Sequence, residues 1–271
     1  MHKLSRQIRF TIDPFTNSPE TGSNSYCAKP TANGLAFYFS LWVELAGNAN
    51  TDTGFVVNVA DIDKIVRDKA IGLFSKFVKN HSNGSFEQIG QLLSRVWETV
   101  GDEFLPAKID SLTVELTPAR KLAIKERDGK MLYFSEKFEF AASHTLWNEK
   151  FSEEENFKTF GKCANKCGHG HNYIVEVTIK KSQQSLAPTP VVGVQNINAG
   201  DFERIVDKHF ISVVDHKNLN ADVKHFKKIN PTVENIAEFA FKELADKFGP
   251  LELDCVTVWE NDRTFCSFRA D

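Results

Sequence analysis

The chain has 271 residues, of which 41% are hydrophobic and 25% charged, and its formal net charge is −3. This composition is typical of a globular protein, and the charge offers no general electrostatic basis for binding nucleic acid or an anionic membrane. The N-terminal segment MHKLSRQIRFTID has no apolar signal core, and no apolar run reaches the length of a membrane span. Five cysteines in a chain of this length predict reduced thiols, and together these features predict a cytoplasmic protein.

The first half of the chain alternates between strand-like and helix-like patterns. RFTID opens a strand, the polar segment 16–34 follows, and LAFYFSLWVELAG predicts the next strand. TGFVVNVADIDKIVRDKAIGLFSKFV predicts a strand that leads into an amphipathic helix. SFEQIGQLLSRVWETVGDEF predicts a second helix, and DSLTVELTPARKLAIKERD a closing pair of strands.

The second half runs through the same order of patterns. Its segments are a strand in EKFEFAASHTL, a polar connection in WNEKFSEEENFKTFGKCANKCG, a strand in HGHNYIVEVTIKK, a strand and then a helix in VVGVQNINAGDFERIVDKHFISVV, a helix in TVENIAEFAFKELADKF and closing strands in LDCVTVWENDRTFCSFRAD. The fragments DIDKIV and DFERIV, and SFEQIG and TVENIA, fall at matching places. We therefore predict an α+β protein of two tandem domains, 1–128 and 129–271, each an antiparallel sheet with two helices on one face. The alternative is that two unrelated units of this kind look alike at this level of detail.

Three histidines in the second half could hold a metal. His169 and His171 are two residues apart at the start of a strand, so their side chains project from the same face. His144 ends the preceding strand, where a neighbouring strand could bring it alongside. Three neutral imidazoles with one open position are typical of catalytic zinc. The alternative is a surface pair or a hydrogen-bonded core pair.

Two cysteines precede these histidines. Cys163 and Cys167 could complete a closed structural zinc site, although structural zinc prefers other cysteine spacings. A thiol beside Lys162, and near Lys166 and a metal, would instead have a lowered pKa and act as a base or nucleophile. The remaining cysteines, Cys27, Cys255 and Cys266, are interpreted as small buried hydrophobic residues.

Two further features carry possible chemistry. Asp215 precedes His216 in VVDHKNLNADV, and such a pair is either an orienting proton relay or an ordinary helix terminus. Glu260 ends the apolar strand in VTVWEND, where its carboxylate could accept two parallel N–H bonds from a guanidine-like heterocycle. Its alternative is a solvated turn residue.

Together these motifs resemble the 6-pyruvoyl-tetrahydropterin synthase family, which includes the 6-carboxy-tetrahydropterin synthases of queuosine biosynthesis. FAASHTL, GKCANKCGHGHNYIVEV, VVDHKNLN, NPTVENIAEF and VTVWENDRT occur in the family's order over residues 133–271. The resemblance implies the tunnelling fold, a four-stranded antiparallel sheet with two helices, in an assembly of several copies of the chain. It also implies conversion of 7,8-dihydroneopterin triphosphate, with zinc as the cofactor and a pterin triphosphate as the partner.

The resemblance also implies the roles of nine residues. Zinc would be held by His144, His169 and His171, and Cys163 would be the base. Asp215 and His216 would form the proton relay. Glu260 would bind the pterin ring, with Thr232 and Glu234 lining its pocket.

Two features depart from the simple family pattern. Five residues separate Cys163 from His169, as in the pyruvoyl-forming branch, whereas the queuosine branch has its cysteine where this chain has Asn165. The carboxy product and a non-catalytic pterin-binding scaffold nevertheless remain alternatives. The first half lacks the site, because its alignment with the second places residues without these functions at the metal and relay positions. These residues are Pro14, Phe37, Phe39, Ser75 and Lys76.

Overall fold

A computed structural model describes residues 1–15, 36–80, 85–126, 131–181 and 198–270. The chain divides into two compact units, one made of Met1–Phe134 and Lys181–Val191 and the other of Ser135–Lys180 and Val192–Asp271. Four predictions lie outside the described residues: the polar segment 16–34, the thiol of Cys27, the domain boundary between 128 and 129 and the strand at 191–197.

The first unit contains four strands that are neighbours in chain order. They are β1 (His2–Ile12), β2 (Phe37–Gly47), β3 (Lys108–Thr117) and β4 (Arg120–Lys125). Each strand pairs antiparallel with the next. Along β2, Phe39, Leu41, Val43 and Leu45 are buried at every second position, which is the alternation that predicted the strand.

The helices of the first unit lie between β2 and β3. They are α1 (Val59–Ile65), α2 (Ile71–Asn80) and α3 (Phe86–Val100), and a five-residue π-helical turn, Val66–Ala70, joins α1 to α2. Ser85 and Gln88 form a capping box that starts α3. Phe74 of α2 packs against the stacked rings of Phe10 and Phe39, so the helix covers the buried face of β1 and β2.

The strand predicted immediately before α1 is absent: residues 53–58 contain a turn and a loop. The side-chain oxygen of Asn50 accepts hydrogen bonds from the backbone N–H groups of Asp52 and Thr53, which bends the chain. Asn58 then caps α1 through the N–H of Ala60. Two adjacent valines gave a strand-like pattern, but the local asparagine hydrogen bonds determine the conformation.

The second unit contains five strands. They are β5 (Met131–His144, from Ser135 onward), β6 (His169–Lys181, up to Lys180), β7 (Lys217–Asn218), β8 (Glu252–Asn261) and β9 (Thr264–Phe268). The sheet order is β5, β6, β8, β9, with β6–β8 and β8–β9 antiparallel. The short β7 pairs parallel with the end of β5, which places the residues around His216 beside Ala142 and Ser143.

The helices of the second unit include one that the sequence analysis missed. The helices are α4 (Glu153–Phe160), α5 (Ala199–Val206), α6 (Ser212–Val214), α7 (Leu219–Asp222) and α8 (Val233–Leu244). A π-helical turn, Asp207–Ile211, joins α5 to α6. Helix α4 replaces the predicted polar connection, because Ser152 and Glu155 form a capping box and three glutamates occupy its first turn.

These elements confirm the predicted α+β class with antiparallel pairing and helices. None of the helices in the described ranges combines the length and the apolar character that a bilayer crossing requires.

Candidate active site

Three imidazoles meet where β5 ends and β6 begins. His144 is the last residue of β5, and His169 and His171 lie two apart at the start of β6. The Nε2 atoms of His144 and His169 are 3.2 Å apart, and one nitrogen from each of the three rings lies within 4.8 Å of the others. The structure therefore brings together the three histidines that the sequence analysis selected as metal ligands.

The hydrogen bonds of the imidazoles fit a bound cation. His144 is buried, and its Nδ1–H donates to the carbonyl oxygen of Pro231 at 2.8 Å, which leaves the Nε2 lone pair directed at the other rings. Burial lowers the pKa of both His144 and His171, which favours the neutral, metal-binding form. Among the described residues, the buried Nε2 of His171 has no hydrogen-bond partner, so a ligand atom is available at the centre of the triad.

Gly168 sets the backbone immediately before the first ligand of β6. Its φ of +70° lies in the left-handed region that glycine adopts readily. A Cβ atom there would lie 3.0 Å from the carbonyl oxygen of His144 and 3.2 Å from Oγ1 of Thr145. The absence of a side chain thus allows the start of β6 to approach the end of β5, which brings the ligands together.

The thiol of Cys163 lies beside the triad. Its Sγ is 3.6 Å from Nε2 of His169, and its carbonyl oxygen accepts a 2.8 Å bond from the N–H of Leu146. Burial, with a smaller effect of the Glu260 carboxylate, raises the pKa of this thiol. Lys162 and Lys166 were expected to lower the pKa of the Cys163 thiol. Without a metal, the protein raises this pKa instead, because the thiol is partly withdrawn from water.

Cys167 occupies a different position. It is exposed and its backbone N–H donates to the side chain of Asn165. It is not among the ligand atoms that cluster with the three histidines. Four of the cysteines, Cys163, Cys167, Cys255 and Cys266, are free thiols.

Asp215 and His216 form a pair anchored to β5. The Nδ1–H of His216 donates to Oδ2 of Asp215 at 2.8 Å, while Oδ1 of Asp215 accepts the N–H of Ala141 at 2.8 Å. The bond from Ala141, followed by that from His216, holds the pKa of Asp215 below its usual value. His216 has a φ of +54°, unusual for a residue with a side chain, and its N–H donates to the carbonyl of Ala141.

His216 and His171 share a cavity. The cavity has a volume of about 620 Å³, and its lining also includes Ser143, Asn172 and Lys217. The imidazole of His216 is 82% exposed, so a small molecule in the cavity can reach both the proposed relay and one ring of the triad. This geometry joins two features that are 45 residues apart in the sequence.

Of the three residues predicted to bind the pterin, the structure places Glu260 against the triad and Thr232 next to a residue that binds it. Oε1 of Glu260 is 3.3 Å from Nε2 of His171 and 3.6 Å from Nε2 of His144. Thr232 caps α8 by accepting the N–H of Asn235, and it follows Pro231, which binds His144. Glu234 is exposed in the first turn of α8, and its charge contributes to raising the pKa of the Cys266 thiol on β9.

Comparison with known proteins places this geometry in a family. The family model for 6-pyruvoyl tetrahydropterin synthase matches residues 133–271. The chain belongs to the 6-pyruvoyl tetrahydropterin synthase family. Human 6-pyruvoyl tetrahydrobiopterin synthase is 34% identical over 137 residues, which are 51% of this chain and 90% of the human protein. The Poecilia reticulata protein of the same name is 35% identical over 133 residues, 49% of this chain and 86% of that protein.

One solved structure is also similar to part of this chain. The Caenorhabditis elegans 6-pyruvoyl tetrahydropterin synthase is 31% identical, with a TM-score of 0.45, and the match covers 52% of this chain and 96% of that one.

Sequence reasoning missed one residue that lies beside the three histidines. Tyr173 follows His169 and His171 on the same face of β6, is fully buried, and has its hydroxyl 3.4 Å from Nδ1 of His144. Burial, with Glu260 as a secondary cause, raises its pKa, so the phenol stays protonated. The alternation of HGHNY could have identified this residue, since it is two positions beyond His171.

Proposed function

We propose that the chain is a zinc-dependent carbon–oxygen lyase that converts 7,8-dihydroneopterin triphosphate to 6-pyruvoyl-tetrahydropterin and releases triphosphate. The observation that carries the proposal is the grouping of three imidazoles with the Cys163 thiol, 3.6 Å from His169, in a chain of this family. The relatives named as 6-pyruvoyl tetrahydrobiopterin synthases support the pyruvoyl product, as does the spacing between Cys163 and His169.

The metal would be held by His144, His169 and His171. Three neutral nitrogen ligands with an open position suit zinc that also contacts a substrate. The Nε2 of His171, which makes no hydrogen bond to any described residue, supports this donor set. A zinc ion bound there would act as a Lewis acid on the substrate's side-chain hydroxyls, acidifying the adjacent C–H bonds, and would favour the thiolate form of a neighbouring cysteine.

The remaining residues of the site would move protons and orient the ring. Cys163 would take the proton from carbon, because its sulfur borders the triad without belonging to the ligand set. His216 would shuttle protons through its exposed Nε2, while Asp215 fixes the tautomer by accepting the Nδ1–H. Glu260 would accept two N–H bonds from the pterin ring, with Thr232 and Glu234 lining its pocket.

The domain arrangement belongs to the same proposal: two tandem tunnelling-fold domains, 1–128 and 129–271, each built on a four-stranded sheet. The β3–β4 and β8–β9 hairpins support it, because both ladders shift register at Glu115/Thr117 and Trp259/Asn261, three residues before the second strand begins. The π-helical turn Val66–Ala70 begins at the last residue of DIDKIV, and the turn Asp207–Ile211 directly follows the matching fragment DFERIV.

The hairpin correspondence also supports a non-catalytic first domain. It places Leu116 at the position of Glu260, so an apolar side chain replaces the proposed pterin anchor. Phe39, which the sequence alignment sets at the position of His171, is buried and stacked on Phe10. We assign this domain a structural role in a cytoplasmic homo-oligomer.

The direct test is product identification. Purified full-length protein loaded with zinc would be incubated with 7,8-dihydroneopterin triphosphate, and the pterin and the released phosphate species would be identified by mass. The proposal predicts 6-pyruvoyl-tetrahydropterin and one triphosphate per turnover. A 6-carboxy-tetrahydropterin product would assign the chain to the other branch of the family, and binding without turnover would make it a pterin-binding scaffold.

A further inference from the structure

A second cavity in the second unit adjoins the candidate active site but contains none of its proposed residues. It has a volume of about 840 Å³ and lies between the segment after β5 and the segment before α8. This size suits a small-molecule ligand. Its lining includes the aromatic residues Trp147 and Phe226, several asparagines and four lysines. The lysines are Lys150, Lys166, Lys227 and Lys228.

The charge of this cavity is strongly unbalanced. Glu149 is the only acidic residue in its lining. Within the described part of the chain, no carboxylate lies within 4.0 Å of the amino groups of Lys150, Lys227 or Lys228. The amino group of Lys166 lies 3.8 Å from the carboxylate of Glu153. These three lysines give the concave surface an excess of positive charge, and lysine is a common ligand of phosphate oxygens.

The wall that carries Lys150 is fixed rather than a loose surface loop. Asn156 of α4 is fully buried, and its side-chain amide donates to the carbonyl oxygens of Asn148, Phe151 and Ser152 while its oxygen accepts the N–H of Asn148. Both ends of one buried amide thus hold this segment. Lys150 therefore lies in a backbone segment that is fixed by hydrogen bonds on both sides.

The cavity is also tied to the metal ligands through the backbone. Thr145 in its lining directly follows His144, and its N–H donates to the side chain of Asn220, which also lines the cavity. Asn230, which accepts the N–H of Trp147, directly precedes the proline whose carbonyl orients His144. The same few residues therefore position the first imidazole and the rim of the lysine cavity.

We infer that the lysine cavity binds the triphosphate group of the substrate. Assigning the anion to the substrate rests on the proposed function, whereas affinity for polyphosphate does not. A chain of three phosphates matches several lysines spread around one cavity better than a single phosphate does, because more than one oxygen can meet an ammonium group. Release of triphosphate from this cavity would complete the proposed elimination.

The test measures binding of inorganic triphosphate to the full chain by calorimetry at low ionic strength. The variant Lys227→Gln/Lys228→Gln removes two charges from one wall, and Lys150→Gln removes one from the other. The matched control is Lys208→Gln/Lys247→Gln, which removes two charges from exposed positions outside the cavity lining. We expect the cavity double variant to weaken triphosphate binding by at least about tenfold, Lys150→Gln by about threefold, and the control by less than about twofold.

Three results would overturn the inference. They are no saturable triphosphate binding by the unaltered chain, equal binding by the cavity and control variants, and loss of binding after the metal is removed by dialysis against a chelator. The last result would place the anion on the metal instead of on the lysines. Triphosphate binding with the expected variant pattern, in protein that does not convert dihydroneopterin triphosphate, would reject the proposed function and leave the anion site standing.

Discussion

At the scale of single residues, Cys163 and Cys167 are two thiols four residues apart with different surroundings. Only the first borders the triad, with its sulfur 3.6 Å from Nε2 of His169. If Cys163 is the base, Cys163→Ala should lower kcat by at least about 100-fold, the usual contribution of general base catalysis, with metal content unchanged. Steady-state kinetics and metal analysis measure these two effects.

Cys167→Ala is the matched control and should keep nearly full activity, because this exposed thiol lies outside the ligand cluster. An inactive Cys167 variant, or loss of metal from the Cys163 variant, would show that the roles of the two thiols are assigned wrongly.

Glu260 gives a second prediction at the residue scale. Glu260→Gln replaces one acceptor oxygen by a donor facing a donor, so the affinity for an unreactive pterin analogue should fall about 10- to 100-fold. The carboxylate lies 3.3 Å from Nε2 of His171, but three imidazoles remain as ligands, so metal content should stay the same. Asp262→Asn changes an exposed carboxylate two residues further along and is the control. Unaltered analogue binding by Glu260→Gln would refute the pterin assignment.

At the scale of elements, the approach of β6 to β5 depends on Gly168. Gly168→Ala should lower the free energy of unfolding by about 2 kcal/mol or more, since left-handed strain adds to overlap with the His144 carbonyl. Metal affinity should fall as well, because His169 is the next residue. Chemical denaturation and competition with a chelating indicator measure both quantities.

Gly249 provides the control for this prediction. Its φ is +60° but no atom lies within 4 Å of an added Cβ, so Gly249→Ala should carry only the backbone strain of about 1 kcal/mol and leave metal affinity intact. Equal effects of the two substitutions on metal affinity would mean that the contact at Gly168 does not position the ligands.

Strand periodicity predicted the part of the site that lies on β6. The alternation of HGHNYIVEV was sufficient to place His169 and His171 on one face, because side chains in a strand repeat every two residues. Elements governed by local side-chain hydrogen bonds were predicted less well. Residues 53–58 have a strand-like pattern, but Asn50 sets a turn before them and Asn58 caps the helix that follows. Helix α4 was missed, although the residues of its capping box can be identified in the sequence.

At the scale of the whole molecule, long-range contacts were beyond sequence reasoning. The carbonyl of Pro231 that orients His144 is 87 residues away in the sequence. Every residue has a backbone carbonyl, so the residue type does not show which one accepts this bond. The lysine cavity likewise combines Lys150 with Lys227 and Lys228, and none of these three residues belongs to a motif identified in the sequence. Motifs identified the chemistry, whereas packing of distant segments determined its geometry.

We propose that each chain holds one metal-dependent site, on the second unit. In the first unit, Phe39 is buried against Phe10 and Phe74, and these rings provide no ligand atoms and would impose a large desolvation cost on a cation. The measurement is zinc per chain in extensively dialysed full-length protein, by elemental mass spectrometry, for the unaltered chain, for His169→Ala and for the control His209→Ala.

We predict one zinc ion in the unaltered chain and in the His209 control, and a zinc content near zero in the His169 variant. Two zinc ions per chain would mean that the first unit holds a metal of its own. If unaltered protein without zinc still converted dihydroneopterin triphosphate, the proposed metal site would be wrong, because the three imidazoles would then not be the basis of the activity.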